Sequence, residues 1–380
     1  MVIARAYLPE GRIGHDLARL RAETARLLDV FAAAGASEVE PAALLDAETL
    51  LDLYGEDIRT RAYTTHDPVE GERMMRPDFT VPVVQMHVAM GQEPARYAYA
   101  GPVWRRQEPG SERATEYLQV GFELFDRGDA QVGEAEVFGL ITGALAGQGL
   151  TISTGDLGVL RAAVASLRVS ERRRAALMRH IWRPARFAAL VARFASPAQT
   201  SETRTALLDA ARASDAAFYA LIAAAGPEQG VRSRAEIAAR AAWLAEDAAE
   251  APLSQEEQSA LEAVAALTGT VAVMPDALAP LSEVLPGLTN AAERIARRCV
   301  AFAARGIDPA ALPFSARFGQ TTLEYYDGFV FGLSDANRPD LPPIASGGRY
   351  DALTRALGEG IPAVGGIIRP EALLAREAAR

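Results

Sequence analysis

The stretch Glu116-Tyr-Leu-Gln-Val-Gly-Phe-Glu-Leu-Phe125 alternates between apolar and mixed positions, and a period of two marks a strand with two unlike faces. Leu118, Val120, Phe122 and Leu124 fall on one face, which reads as core, and Tyr117, Gln119, Gly121, Glu123 and Phe125 fall on the other. The second face carries an amide and a carboxylate two positions either side of Gly121, whose missing side chain predicts that a ligand approaches the backbone there. A carboxylate beside an amide suits a ligand that offers N–H donors. A face wetted by solvent or covered by a helix is the other reading that periodicity allows. Upstream, Tyr97-Ala-Tyr-Ala-Gly-Pro-Val-Trp104 and a polar loop containing Pro109 and Gly110 supply the partner strand, so residues 96–125 predict a long antiparallel hairpin.

Before the hairpin, Leu17, Leu20, Leu27, Leu28 and Phe31 form one stripe of an amphipathic helix from about Gly14 to Ala34, with Gly35 as its stop. A short strand over Ser37–Pro41 and a helix over Ala43–Tyr54 follow. After the hairpin the chain becomes rich in alanine and arginine from about residue 155 to 305, with helices predicted over Thr205–Ala225 and Ala235–Glu250. Extended structure resumes at Thr322–Gly332, and a Pro-rich loop over Ser334–Pro343 precedes a glycine turn. Then come a helix over Asp351–Leu357, a strand near Ala363–Ile368 and a closing helix from Pro370, a residue suited to the first helical position. This predicts an α+β core from residues 1–154 and 306–380, interrupted by a mostly helical insertion over 155–305.

Composition excludes several classes of chemistry. The 39 basic residues are all arginine, so a lysine Schiff base, a P-loop lysine and a lysine acid or base are absent. The formal charge of −10 repels polyanions, and the best basic run, Arg172-Arg-Arg174, follows Glu171 without interleaved aromatics; no nucleic-acid partner is expected. His15, His66, His87 and His180 lack metal-ligand spacing, and no metal or cofactor is expected. The single Cys299 cannot form an internal disulfide and reads as a small hydrophobe. No export signal or membrane span is read, and the cytoplasm is the expected location.

Three segments resemble the motifs of class II aminoacyl-tRNA synthetases. Pro41 after a helix and strand resembles motif 1, the dimer-forming element; Gly101-Pro-Val-Trp-Arg-Arg106 through Phe125 resembles motif 2; and Pro362-Ala-Val-Gly365 through Leu373 resembles a degraded motif 3. Arg76-Pro-Asp-Phe-Thr80, Leu323-Glu-Tyr-Tyr326 and Ser346-Gly-Gly-Arg-Tyr-Asp351 are similar to segments that read histidine in histidyl-tRNA synthetases. The resemblance implies a six- or seven-stranded antiparallel sheet flanked by helices. It also implies a histidine site in which Asp78 and Thr80 hold the ammonium, Gln119 shares the backbone contacts and Arg105 meets the carboxylate. Glu123 would accept from an imidazole nitrogen, with Tyr325, Tyr326 and Tyr350 around the ring.

The departures from that family bear on chemistry. An arginine that activates the carboxylate in the synthetases aligns with Thr321, or with Arg317 nearby after a slip in register. The phosphate-gripping motif 3 arginine aligns with Ala372, and the glycine three residues before it with Arg369. Arg113 is kept in the motif 2 loop, but the next loop arginine is Thr115, and Arg106 stands where the synthetases have histidine. Loss of cations aimed at developing negative charge predicts negligible adenylate formation and no catalytic residue. No anticodon-binding domain is expected after the closing helix.

This combination resembles the regulatory-subunit family of ATP phosphoribosyltransferase. That resemblance implies a homodimer through the motif 1 region, a hetero-octamer with the short-form catalytic subunit, and allosteric feedback by histidine in the first step of histidine biosynthesis. A truncated synthetase or amino-acid ligase that still adenylates, a tRNA-binding module and a structural scaffold are the alternatives.

Overall fold

The computed structural model describes residues 12–54, 61–108, 110–111, 113–196, 201–224, 226, 232–320 and 325–378. Contacts divide the chain into two compact units, one made of residues up to Ala163 with those from Ala263 onward, the other of Val164–Glu262.

In the first unit, helix α1 (Gly14–Ala33) leads to strand β1 (Ser37–Glu38), β2 (Leu44–Asp46), α2 (Ala47–Tyr54), β3 (Thr64–Asp67), β4 (Gly71–Met75) and α3 (Thr80–Met90). The hairpin β5 (Ala95–Trp104) and β6 (Glu116–Phe125) follows, then α4 (Ala130–Ala144), β7 (Thr151–Asp156) and α5 (Leu157–Ser166). Helices α6 (Glu171–Arg179), α7 (Pro184–Ala195), α8 (Glu202–Ala213), α9 (Asp215–Ala224), α10 (Arg234–Ala249) and α11 (Gln255–Ala266) come next. The chain continues through β8 (Thr268–Thr270), α12 (Met274–Leu278), α13 (Leu288–Ala304), β9 (Pro313–Ser315), β10 (Phe329–Ser334), β11 (Ala345–Arg349), α14 (Asp351–Leu357), β12 (Ala363–Ile368) and α15 (Pro370–Ala378).

Nine strands form one sheet in the order β1-β5-β6-β12-β11-β10-β7-β9-β8. The six from β5 to β7 are antiparallel throughout, as the resemblance implied. The additional strands are short: β1 runs parallel to β5, β9 runs parallel to β7, and the edge strand β8 is antiparallel to β9. A second sheet, β2-β4-β3, was not anticipated, because Leu44–Asp46 pairs with β4 where a helix was expected to begin. The expected helix over Thr205–Ala225 is two helices, since the Ser214 hydroxyl accepts the Ala217 N–H at 3.1 Å and caps a new start.

The hairpin register pairs Trp104 with Glu116 and Ala95 with Phe125. Val120, Phe122 and Leu124 are buried, and Phe122 meets Phe31 of α1 with ring centroids 5.6 Å apart, which fixes one face of β6 against the helix stripe. His87 is a packing residue: it stacks on Phe125 at 4.1 Å and bonds Tyr97 Oη at 3.0 Å, and burial lowers its pKa. The thiol of half-buried Cys299 reaches the Val271 carbonyl at 3.8 Å, and burial pushes its pKa up.

The unit Val164–Glu262 lies within the compositional tract over 155–305 and is shorter at both ends. Alanine and arginine richness runs on into α5 and α13, but β7 pairs with β10, and α13 places Arg298 against β7 and α4 residues. Among the described residues no helix is long and apolar enough to cross a membrane.

Candidate functional site

One cavity of the first unit is lined by Asp78, Thr80, Arg105, Gln119, Glu123, Tyr325, Tyr326 and Tyr350, the eight residues singled out in the sequence. They come from the start of α3, the end of β5, β6, the segment before β10, and the turn after β11. Ser346, Gly365–Ile367 and Arg369 complete the lining. The cavity is tight, about 20 Å³, which is room for a water molecule or two.

At its deep end lies the carboxylate of Glu123, 1% exposed. Tyr350 Oη donates to it at 2.6 Å, Tyr99 Oη at 2.9 Å and Thr80 Oγ1 at 3.4 Å, while Tyr325 Oη donates to Thr80 Oγ1 at 3.1 Å. Burial pushes the Glu123 carboxyl up to about 7, although the hydroxyl donors oppose the shift; nearby Asp78 adds to it. Gly365 on β12 faces Glu123 in register, and a Cβ there would run into the carboxylate. The glycine of the paired strand thus makes room for the acid.

Gly121 does not serve a ligand as expected. A Cβ there would strike the ring and hydroxyl of Tyr99, the residue directly opposite it on β5, so the vacancy admits a tyrosine that bonds Glu123. Tyr99 was missed in the sequence; its signal was an aromatic across from a strand glycine, readable once the register is known.

Toward the other end, Asp78 Oδ1 accepts the Thr80 N–H at 3.1 Å, and Asp78 Oδ2 lies 3.9 Å from the Arg105 guanidinium. Arg105 is fixed by donating Nε to the Pro77 carbonyl at 2.7 Å. Gln119 is 1% exposed, and among the described residues its Oε1 has no hydrogen-bond partner. A buried acceptor and a carboxylate lining one cavity can both accept from a donor-rich group. Arg76, which the resemblance grouped with Asp78 and Thr80, instead ties the region together, donating to the carbonyls of Pro41 at 2.7 Å and Pro102 at 3.0 Å.

Of the positions that depart from the synthetases, Thr321 lies outside the described residues. Arg317, the alternative after a register slip, is exposed, donates to the Ala265 carbonyl at 3.1 Å and does not line the cavity. Arg113 is also exposed and donates to the Asp340 carbonyl at 3.3 Å.

The turn bearing Tyr350 is anchored by buried ion pairs. Glu134 of α4 lies 2.6 Å from both Arg298 and Arg349; Arg298 reaches Asp156 at 2.7 Å, and Arg349 reaches Asp351 at 2.9 Å. Burial pushes the Glu134 carboxyl up, but the two guanidiniums outweigh it and hold the acid below its ordinary value. Asp351 Oδ1 also accepts the Ala363 N–H at 2.8 Å, which links this cluster to β12.

The raised Glu123 value has a consequence for stability. An acid whose folded pKa exceeds its unfolded value of about 4.5 contributes stability that is full below 4.5 and is lost as pH rises through about 7. The expected loss is about 2–3 kcal/mol between pH 5 and 8. Denaturant unfolding of wild type and Glu123→Gln at both pH values checks this, because the difference between the two proteins should carry the loss. An unchanged difference would leave Glu123 ordinary.

The sheet has the architecture of the histidyl-tRNA synthetase class. A model of the histidyl-tRNA synthetase family matches residues 13–250 and 216–373. The chain is 32% identical over 365 residues to the ATP phosphoribosyltransferase regulatory subunit of Mesorhizobium japonicum, covering 91% of this chain and 95% of that one. It is 33% identical over 362 residues to the protein of the same name from Allorhizobium ampelinum, covering 89% and 93%. The chain belongs to this family of ATP phosphoribosyltransferase regulatory subunits. Similar solved structures include an ATP phosphoribosyltransferase regulatory subunit/histidyl-tRNA synthetase from Bacillus halodurans, with TM-score 0.66 and 18% identity over 97% of this chain and 83% of that one. Another is a histidyl-tRNA synthetase from Nostoc, with TM-score 0.61 and 18% identity over 98% and 74%. At that identity the two speak for the fold alone.

Proposed function

We propose that this chain is a non-catalytic regulatory subunit of ATP phosphoribosyltransferase that activates a short-form catalytic subunit and transmits feedback inhibition by histidine. The observation that carries the reading is the cavity's distribution of polar groups. Glu123 with its hydroxyl donors complements an imidazole edge, while Asp78, Gln119 and Arg105 complement an amino acid's charged end.

The size of the cavity bears on this function. About 20 Å³ does not hold an amino acid, so occupancy requires the lining to yield. Tyr325 and Tyr326, like Asp78, Arg105, Tyr350 and Arg369, belong to no helix or strand. Binding that needs such a movement is coupled to whatever the moved segment touches, and a coupling of about 1–3 kcal/mol suffices for feedback. The partner's active state must then weaken histidine binding by the same factor.

In this reading the chain dimerises through the region around Pro41 and assembles with the catalytic subunit into a cytoplasmic hetero-octamer. Mixing the two purified proteins should yield one co-eluting species whose phosphoribosyltransferase activity exceeds that of the catalytic subunit alone and falls when histidine is added. Separate elution with unchanged activity would refute the regulatory role. Exchange of labelled pyrophosphate into ATP by this chain with histidine would instead favour an adenylating enzyme.

A further inference from the structure

Arg369 follows β12, next to Pro370, and lines the cavity alongside Arg105. Its guanidinium donates to the Pro343 carbonyl and lies over the Tyr117 ring at 5.7 Å from the centroid. Among the described residues no carboxylate lies in ion-pair range of it. Arg105, by contrast, has Asp78 at 3.9 Å. Among the described residues the cavity thus holds one cation that none of its acids approaches. Burial and the neighbouring Arg105 pull the Arg369 guanidinium below its ordinary value, against the opposing effect of Tyr117.

The order of groups along one strand face gives this excess a place. Tyr117, Gln119 and Glu123 share a face of β6. Arg369 stands over the first, the orphan Oε1 belongs to the second, and the hydroxyl-bound carboxylate is the third. Arg369, Gln119 and Glu123 all line the one cavity, so a zwitterion in it has a cation, an acceptor and an acid to meet.

We propose that Arg369, together with Arg105, is the receptor for the ligand's free carboxylate, which makes the site selective for an unesterified, unactivated amino acid. This rests on the reading of the cavity as an amino-acid site and adds the group that sets its selectivity. A neutral ester or amide leaves the guanidinium facing an uncharged oxygen, so the discrimination amounts to one charged hydrogen-bonding contact, about tenfold to hundredfold in affinity. A merely structural Arg369, holding Pro343 and Tyr117, would affect every ligand alike.

Calorimetric titration of the full chain with L-histidine and with L-histidine methyl ester tests this, on wild type, Arg369→Gln and Arg369→Lys. Wild type should prefer the free acid by at least about tenfold. Arg369→Gln should narrow that preference to a few-fold by weakening histidine while sparing the ester, and Arg369→Lys should retain most of it. If Arg369→Gln does not fold, Arg369→Lys against wild type still decides, because a point charge in place of the planar fork should keep the preference while a structural role would weaken both ligands equally. An unaltered preference in Arg369→Gln, or equal weakening of both ligands, overturns the inference alone. A wild type that takes up neither ligand overturns the amino-acid reading of the cavity and this inference with it.

Discussion

Arg298→Ala is expected to lower the unfolding free energy by about 3–5 kcal/mol, measured by denaturant titration at neutral pH. Arg298 is 1% exposed, bridges Glu134 at 2.6 Å and Asp156 at 2.7 Å, and lies over the Phe329 ring at 4.7 Å. Its removal leaves Asp156, also 1% exposed, without its cation and opens a void against an aromatic cluster. The magnitude comes from stranding a buried charge rather than from the net worth of the pair, so Arg298→Met, which fills part of the void, should recover only a fraction of the loss. The same network holds Arg349, whose neighbour Tyr350 donates to Glu123, so Arg298→Ala should also loosen the site before it unfolds the chain. A loss under about 1 kcal/mol would mean the cluster is not what fixes the turn.

How much of this was legible in the sequence depends on the range over which each feature is encoded. The alternation of β6 and the polar loop that ends its hairpin are local, and both strands formed where they were read. The stripe of α1 is local as well, and Leu20, Leu27 and Phe31 are its buried members. The gathering of Asp78, Glu123 and Tyr350 was readable only through the resemblance, because nothing within 227 residues of chain ties Tyr350 to Glu123. What the sequence concealed is register and partnership. Tyr99 sits opposite Gly121 by pairing, and Gly365 opposite Glu123 by a strand more than two hundred residues later. Arg298 lay inside an alanine- and arginine-rich tract that composition assigned to an insertion, yet its partners are 164 and 142 residues away. Edge strands of two and three residues, such as β1 and β8, lack a period long enough to read.

The second large effect concerns the ligand itself. Three hydroxyl groups converge on Glu123, and truncating it removes the acceptor for an imidazole N–H while leaving Tyr99 and Tyr350 without this partner. A buried charged hydrogen bond of this kind changes affinity by about tenfold to hundredfold, and the two stranded hydroxyls add to the loss. The decisive measurement is titration of the purified chain with L-histidine, wild type against Glu123→Ala. Saturable binding of one histidine per chain is expected in the wild type, with a loss of at least about a hundredfold in the variant. No saturable heat in the wild type, or equal affinity in both proteins, would contradict it.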